Sequence, residues 1–337
     1  MSEWILAIES SCDETAAAVL CGDNLKSNVI ATQTIHEKYG GVVPELASRA
    51  HQSNIVPVVA QALKEAGVTL QEIDVIAFTR GPGLMGALLV GTSFAKSLSL
   101  ALNKPLIGVN HMQAHVLAHF IRDKVQRPVP LFPFLCLTVS GGHTQLIQAN
   151  SPLEQIVIGA TIDDAAGEAF DKAAKLLGLP YPGGPHIDRL AANGDSKKYT
   201  FTQPSAGYLN YSFSGLKTSF LYFLRDKELA EPGFKKRELE HICASYQKAV
   251  IDYLLSVLEQ AVIQTGITDI ALAGGVSTNS FLRSQLKEKA ALKKWNVFIP
   301  PFEYCTDNAA MIGIAAWFMH QAGRHDSLNI TPEVRMR

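Results

Sequence analysis

A chain of 337 residues, 47% apolar and 18% charged, has ample material to bury and divides naturally into two domains of roughly 150 residues. That composition argues against disorder, and a formal net charge of −1 argues against coating nucleic acid by bulk electrostatics. Five scattered cysteines (Cys12, Cys21, Cys136, Cys243, Cys305) include no C-x-x-C pair, which fits a reducing compartment and neither a disulfide framework nor thiolate-bound zinc.

The N-terminal stretch from Met1 to Glu9 lacks a basic n-region and reads as a first strand, not a secretory signal. Residues 5–9, 16–20 and 29–34 predict a three-stranded meander. A helix over 44–66 stops at Gly67; a strand at 75–79, a glycine turn and a helix over about 84–102 follow. The longest apolar region in it, about 84–95, contains Gly, Thr and Ser and meets Lys96, well short of a membrane span. A strand at 106–109 then feeds a helix carrying His111 and His115.

Prolines at 128, 130 and 133 mark the crossing between lobes. The pattern then restarts, with strands at 135–139, 144–148 and 156–162 and helices at 166–177, 185–192 and 237–265. A strand at 270–273 precedes another helix, and the last helix covers about 306–321. Each half opens with a hairpin and continues as alternating strands and helices. The expected fold is α/β, with two similar lobes, mixed sheets flanked by helices and a ligand cleft between them. The N-terminal lobe is expected over 1–125, completed by a C-terminal segment at about 306–337, and the second lobe over 126–305. The protein is expected to be soluble and cytoplasmic, with no membrane partner.

His111-Met112-Gln113-Ala114-His115 puts two imidazoles at i and i+4 on one helix face, near enough to grip one metal ion. Spacing also allows two unrelated histidines, one capping and one packed. The zincin motif H-E-x-x-H shares this spacing, but Met112 stands where its general base belongs, so peptidase chemistry is poorly supported. Asp307, in Cys305-Thr306-Asp307-Asn308, offers a further carboxylate ligand; Thr306 or Asp307 acting as a helix N-cap stays open beside it.

Three glycine turns follow predicted strands. Gly81-Pro82-Gly83-Leu84-Met85-Gly86 resembles a phosphate turn without the Lys-Ser/Thr of a Walker A loop, and helix packing explains its glycines as well. Ser140-Gly141-Gly142-His143-Thr144 offers amides and hydroxyls to a phosphate. Ala273-Gly274-Gly275-Val276-Ser277-Thr278-Asn279 runs from a strand into a helix. Together they favour a nucleotide-type ligand. The turn Glu9-Ser10-Ser11-Cys12-Asp13-Glu14-Thr15 is either a solvated hairpin tip or a source of acid–base groups, with Asp13 and Glu14 the candidates. Asp163 and Asp164 look like a helix start, and Asp171 lies on that helix, at the surface or facing ligand. The basic run Lys287 to Lys294 reads chiefly as a solvated helix face.

Taken in order, Ile8-Glu9-Ser10-Ser11-Cys12-Asp13-Glu14-Thr15, Tyr39-Gly40-Gly41-Val42-Val43-Pro44-Glu45-Leu46-Ala47-Ser48-Arg49, Gly81-Pro82-Gly83-Leu84, His111-x-x-x-His115, Val139-Ser140-Gly141-Gly142-His143-Thr144-Gln145, Tyr181-Pro182-Gly183-Gly184-Pro185, Ser212-Phe213-Ser214-Gly215-Leu216-Lys217 and Ala273-Gly274-Gly275-Val276 resemble the TsaD family. The likeness runs from residue 5 to about 313, and Ser10 stands where many members have Thr. It implies an actin-like (RNase H-like) fold and a metal-dependent threonylcarbamoyltransferase. The group would pass from threonylcarbamoyl-adenylate to N6 of the adenosine 3′ of the anticodon in tRNAs reading codons that begin with A, with release of AMP. By the same resemblance His111, His115 and Asp307 would hold one divalent metal, Fe(2+) by the family's usual assignment, with Zn(2+) an occupant of purified protein. Thr138, Val139, Ser140, Gly141, Gly142, Asp171, Gly184, Asp188 and Asn279 would contact the adenylate. The implied partners are tRNA, the paralogue TsaB and the ATPase TsaE. Two rival readings are a small-metabolite kinase or ATPase of the same superfamily and a non-catalytic nucleotide-binding regulatory subunit; metal content separates them from the transferase.

Overall fold

The structure is a computed structural model that describes residues 3–202 and 206–336, the side chains of residues 37 and 38 excepted. Met1, Ser2 and Arg337, counted above in the N-terminal lobe, and residues 203–205, counted in the second, lie outside the described residues. The chain divides into two compact units, Met1–Val129 with Ser151–Glu154 and Pro300–Arg337, and Pro130–Asn150 with Gln155–Ile299.

In the first unit β1 (Trp4–Glu9), β2 (Thr15–Cys21) and β3 (Asn24–Ala31) form an antiparallel meander. β3 starts earlier than the periodicity suggests, because the chain turns tightly at Gly22-Asp23 between the paired Cys21 and Asn24. α1 (Pro44–Ala66) opens on a proline, whose missing N–H costs nothing in a first helical turn, and ends at left-handed Gly67. β4 (Val75–Gly81) pairs in parallel with β1, and after α2 (Met85–Leu102) the strand β5 (Leu106–Asn110) pairs in parallel with β4. The order is β3-β2-β1-β4-β5. β1 sits at the centre, covered on both faces, which is why its sequence is a continuous apolar run and Ile5 to Ile8 are fully buried. α2 extends beyond the apolar run read from sequence and is long and apolar enough, by length and composition, to cross a membrane. Instead it lays a stripe of Ala87, Leu88, Gly91, Thr92, Ala95 and Ser99 inward while packing on β4 and α1, the spacing of a core helix. α3 (His111–Leu117) follows β5 with no intervening loop.

The second unit repeats the plan. β6 (Phe134–Val139) and β7 (Thr144–Ser151) form an antiparallel hairpin, and β8 (Glu154–Ala160) lies beside β7. α4 (Ala166–Leu177), α5 (Gly183–Ala191), α6 (Ser214–Ala230), α7 (Phe234–Arg237) and α8 (Leu239–Thr265) come next. β9 (Asp269–Ala273), α9 (Ser280–Lys293) and β10 (Asn296–Phe298) complete the unit, with β6–β9 and β9–β10 pairing in parallel. The order β10-β9-β6-β7-β8 is the first sheet's order read from the other edge. α8 buries Ile242, Tyr246, Val250, Leu254 and Val257 at the spacing expected, each worth about 1.5–3 kcal/mol of apolar burial.

Some starts differ from expectation, each for a local reason. Asp163 does not begin α4. Its carboxylate accepts from Phe213 N–H (2.7 Å) and from the Ser212 and Ser214 hydroxyls, so it caps α6, a helix that sequence periodicity misses. The start of α4 is held instead by Thr144, whose Oγ1 accepts from Ala166 N–H at 2.9 Å. Asp164 pairs with Lys172 and Lys217. In α9, Lys289 and Lys293 pair with Glu259 of α8, in keeping with a solvated face. α10 (Ala309–Gln321) belongs to the first unit, packs on β1, β2 and β5, and starts after Asn308, which caps it by accepting from Met311 N–H at 3.0 Å. Neither Thr306 nor Asp307 is therefore the cap.

Candidate functional site

The first unit brings His111, His115 and Asp307 together. Asn110 ends β5 and accepts from Met112 N–H (2.9 Å) and Gln113 N–H (3.2 Å), so the helix begins at His111 and both imidazoles leave one face of its first turns. Asn308 also donates to the Thr306 carbonyl (2.8 Å), which shapes the turn displaying Asp307. Oδ1 of Asp307 lies 3.3 Å from Nε2 of His111 and 3.1 Å from Nε2 of His115, and one ligand atom from each of the three residues lies within 4.8 Å of the others.

Behind His111 stands a residue not foreseen from the sequence. Glu9, fully buried at the end of β1, accepts from His111 Nδ1–H through Oε2 at 3.0 Å. The hydroxyl of Thr79 donates to the same oxygen (2.6 Å), and Ser11 N–H donates to Oε1 (2.5 Å). This carboxylate fixes the tautomer that leaves Nε2 facing Asp307, the arrangement that orients metal-ligating histidines. The signal available in the sequence was an acid closing an otherwise apolar strand. His115 commits Nε2 to Asp307, and its buried Nδ1 has no hydrogen-bond partner among the described residues.

Burial works against charge on His111, but Asp307 and Glu9 outweigh it and hold the imidazolium well above the usual histidine range. His115 goes the other way, lowered by burial and by the neighbouring His111 charge. Asp307 is held far below the carboxylate range, the two imidazoles overcoming its burial, and His111 holds Glu9 down in the same manner. Glu14 is pushed up to about 9 by burial and by the charges of Asp307 and Asp13, and Cys12 is pushed up by burial and Asp13. The turn of Asp13 and Glu14 is thus electrostatically joined to the histidine–aspartate cluster. Two neutral-capable imidazoles and a carboxylate suit a borderline divalent transition ion, and the surplus of carboxylates welcomes its charge. The donor set fits the metal that the family resemblance implies.

The turn is itself pinned by His51 of α1. Its Nε2–H donates to the Cys12 carbonyl (3.0 Å), leaving Nδ1 to accept from the Thr15 hydroxyl (2.7 Å). His51 and Thr15 are fully buried. The sequence reading did not single out His51.

In the second unit the expected substrate residues lie at the end of β6 and in the turn after it, on α4 and α5, and at the start of α9. Thr138 and Val139 end β6. Ser140 N–H donates to the His143 carbonyl (2.8 Å), and the Ser140 carbonyl receives Gly167 N–H (3.2 Å), so the turn is braced on α4. Gly141 and Gly142 are exposed, and a Cβ on either would meet nothing within 4 Å. Asp171 accepts from Gly183 N–H at 2.7 Å and from the Gly184 backbone, which starts α5 two residues earlier than expected. Asp188 accepts from both N–H (3.0 Å) and hydroxyl (2.8 Å) of Ser280. Asn279 caps α9 through Leu282 N–H (2.9 Å) and donates to Gln247 (2.8 Å). Gly141-Gly142 is thus open, whereas a Cβ at Gly274 would lie 2.5 Å from the Val139 carbonyl. A Cβ at Gly83 would lie 2.5 Å from the Ser11 carbonyl and one at Gly81 1.8 Å from that of Glu333, so the 81–86 turn is a packing device.

Two mixed five-stranded sheets of one strand order, flanked by helices, define an actin-like (RNase H-like) α/β protein, here with a candidate His-His-Asp metal centre. The sequence model described as "TsaD: tRNA N6-adenosine threonylcarbamoyltransferase" matches residues 24–314. The chain belongs to this family. It is 56% identical over 334 residues to the tRNA N6-adenosine threonylcarbamoyltransferase of Christiangramia forsetii, spanning 99% of this chain and 98% of that protein. It is 55% identical over 338 residues to the protein of the same name from Cytophaga hutchinsonii, spanning 100% and 97%. Among solved structures, full-length HypF in a phosphate- and nucleotide-bound form superposes with a TM-score of 0.60 at 14% identity, over 96% of this chain and 47% of HypF, a likeness of fold.

Proposed function

We propose that this chain transfers a threonylcarbamoyl group from threonylcarbamoyl-adenylate to N6 of the adenosine 3′ of the anticodon in tRNAs reading codons that begin with A. Family membership supports the reaction class. The observation that carries the reading to this chain is the His111, His115 and Asp307 set with Glu9 behind it, since neither a metabolite kinase nor a regulatory subunit has use for a buttressed histidine pair.

His111, His115 and Asp307 would hold one divalent ion, Fe(2+) by the family's usual assignment and Zn(2+) in purified protein. Bound there, the ion supplies positive charge and Lewis acidity to an acyl phosphate. The open Gly141-Gly142 turn, with Thr138, Val139 and Ser140, would present backbone amides and hydroxyls to the adenylate. Asp171 with Gly184, and Asp188 with Asn279, would keep the starts of α5 and α9 rigid against the same ligand. N6 attacks the carbamoyl carbon, the bond from that carbon to the phosphate oxygen breaks, AMP departs and N6 loses a proton. Asp13 is the candidate acceptor for that proton; Glu14, which holds a proton of its own up to about pH 9 in the metal-free site, would accept only where a bound cation lowers it. Holding both reactants together supplies much of the rate, and an anticodon-loop base is already unpaired. The chain would work in the cytoplasm on tRNA, with TsaB and TsaE as partners.

The test is reconstitution with threonylcarbamoyl-adenylate, unmodified tRNA and the partner proteins, reading nucleosides by mass spectrometry. Modified adenosine formed with wild type and not with His111→Ala supports the transferase and its metal centre. No product, where a known family member works, sinks the reading and brings the kinase or ATPase forward.

A further inference from the structure

A second histidine pair lies in the first unit, on residues the proposed transfer does not use. α10 ends in a Schellman motif: Gly323, at φ 67°, donates its N–H to the His320 carbonyl (2.8 Å), and Arg324 N–H reaches back to Met319 (2.9 Å). Only a residue tolerant of left-handed backbone reverses the chain so sharply, and the reversal folds His325 over His320. The next residue is pinned. Asp326 N–H donates to the Leu106 carbonyl (2.8 Å), and its carboxylate accepts from Gly108 N–H (2.8 Å). His325 is therefore held from both sides.

The two ring planes are tilted at 47° with centroids 4.9 Å apart, and Nδ1 of His320 lies 2.7 Å from Nε2 of His325. Beyond His320, Oε2 of Glu3 accepts from Nε2–H at 2.9 Å. That contact commits the His320 proton to Nε2, so Nδ1 presents a lone pair toward His325. The carboxylate–imidazole relation repeats that of Glu9 and His111 at the first centre. The His320 side chain is 14% exposed while Glu3 and His325 are open to solvent, so an ion can reach the pair.

We infer that His320 and His325, buttressed by Glu3, form a second, solvent-accessible site for a borderline divalent transition ion. Paired imidazole nitrogens select Zn(II), Ni(II) or Cu(II) over Mg(II) or Ca(II), which prefer oxygen. The ion takes the place of the shared proton, which His325 shifts by way of water from Nε2 to Nδ1; no proton is lost, and both facing nitrogens become ligands. In a tetrahedral sphere with Zn–N of about 2.0–2.1 Å the nitrogens stand roughly 3.3 Å apart, so the pair must open by about 0.6 Å. The exposed His325 can make that movement. Water completes the shell, and the ion ties the start of β1 to the end of α10 and the segment after it.

The test is equilibrium dialysis of the whole protein against Zn(II), comparing wild type with His325→Ala, an exposed position whose loss leaves the fold intact. Wild type is expected to retain one more equivalent than His325→Ala, and Glu3→Gln to weaken that second equivalent about tenfold. Cu(II)-loaded wild type should show a two-imidazole spectroscopic signature that His325→Ala lacks. Threonylcarbamoyl transfer should be equal in both proteins, which separates this site from the first centre. Equal zinc stoichiometry in wild type and His325→Ala, with no Cu(II) signal tied to His325, overturns the inference.

Discussion

Nδ1 of His111 and Oε2 of Glu9 lie 3.0 Å apart in the core of the first unit, with Thr79 and Ser11 completing the shell of the carboxylate. Three residues are thus engaged in orienting one imidazole. Glu9→Gln keeps the shape but removes the charge, and its amide must set a donor against Ser11 N–H or the Thr79 hydroxyl. Loss of an outer-shell partner typically costs about 10–100-fold in metal affinity. We expect Glu9→Gln to fold and to weaken divalent metal binding within that range, read by competition with a chromophoric chelator. Unchanged affinity would show that His111 is oriented without Glu9.

The metal-free protein should lose stability as pH rises from about 7 to 8.5. His111 has a raised pKa in the folded chain, so its contribution is full below the unfolded value and disappears as pH climbs through the folded one. Glu14, pushed up to about 9, keeps in the fold a proton that the unfolded chain has already lost, and the sign is the same. Glu9 and Asp307 are lowered, so their contributions vary only at acid pH, and the lowered His115 and His51 add no slope once the unfolded histidine has titrated. Calorimetry of chelator-stripped protein should show Tm falling across this window, with a shallower fall in Glu14→Gln. A Tm that rises with pH there would contradict the charge arrangement.

Much of the fold was legible because each element carried its own local signal. Pro44 and Gly67 bracket α1, and alternation between strands and helices reveals two sheets of one plan. The His111 and His115 spacing pointed to their shared face, and the structure brings Asp307 to it. What stayed hidden depends on contacts far apart in the chain. α6 begins where Asp163, fifty residues upstream of Phe213, supplies its cap, and α5 begins early because Asp171 accepts the Gly183 amide. Glu9 and His51 were hidden for a related reason: a buried acid and a buried histidine declare their roles only through tertiary partners. The Gly81 to Gly86 turn stayed open between two readings, since close backbone packing and phosphate binding call for the same residue, and the contacts at Gly81 and Gly83 decide for packing.

Two glycines in the second unit should respond differently to a single methyl group. Gly274 has φ 83°, and a Cβ there would lie 2.5 Å from the Val139 carbonyl, so Gly274→Ala meets both backbone strain and a fixed neighbour. The backbone part alone costs about 1–3 kcal/mol. Gly141 has neither constraint. Gly141→Ala should leave Tm within about 1 °C to 3 °C of wild type, the range of a surface substitution, yet raise KM for the adenylate by crowding an open turn. Gly274→Ala should lower Tm clearly. If Gly141→Ala changed neither KM nor Tm, the turn would have no part in holding the substrate.

His51 ties α1 to the acid turn, and its removal should be felt at the metal centre without touching a ligand. His51→Ala leaves the Thr15 hydroxyl and the Cys12 carbonyl without their partner in the interior, at about 1–3 kcal/mol for each group left unsatisfied. The ring also fixes the turn that carries Asp13 and Glu14, where Asp307 and Asp13 act together on Glu14. We therefore expect His51→Ala to lower Tm and, at temperatures where it is fully folded, to weaken metal binding and slow transfer. His51→Gln, able to donate to the Cys12 carbonyl, should recover part of both. A variant with lowered Tm but wild-type metal affinity and turnover would make His51 a packing residue only, and the position of the acid turn would then be set by β1 and β2 alone.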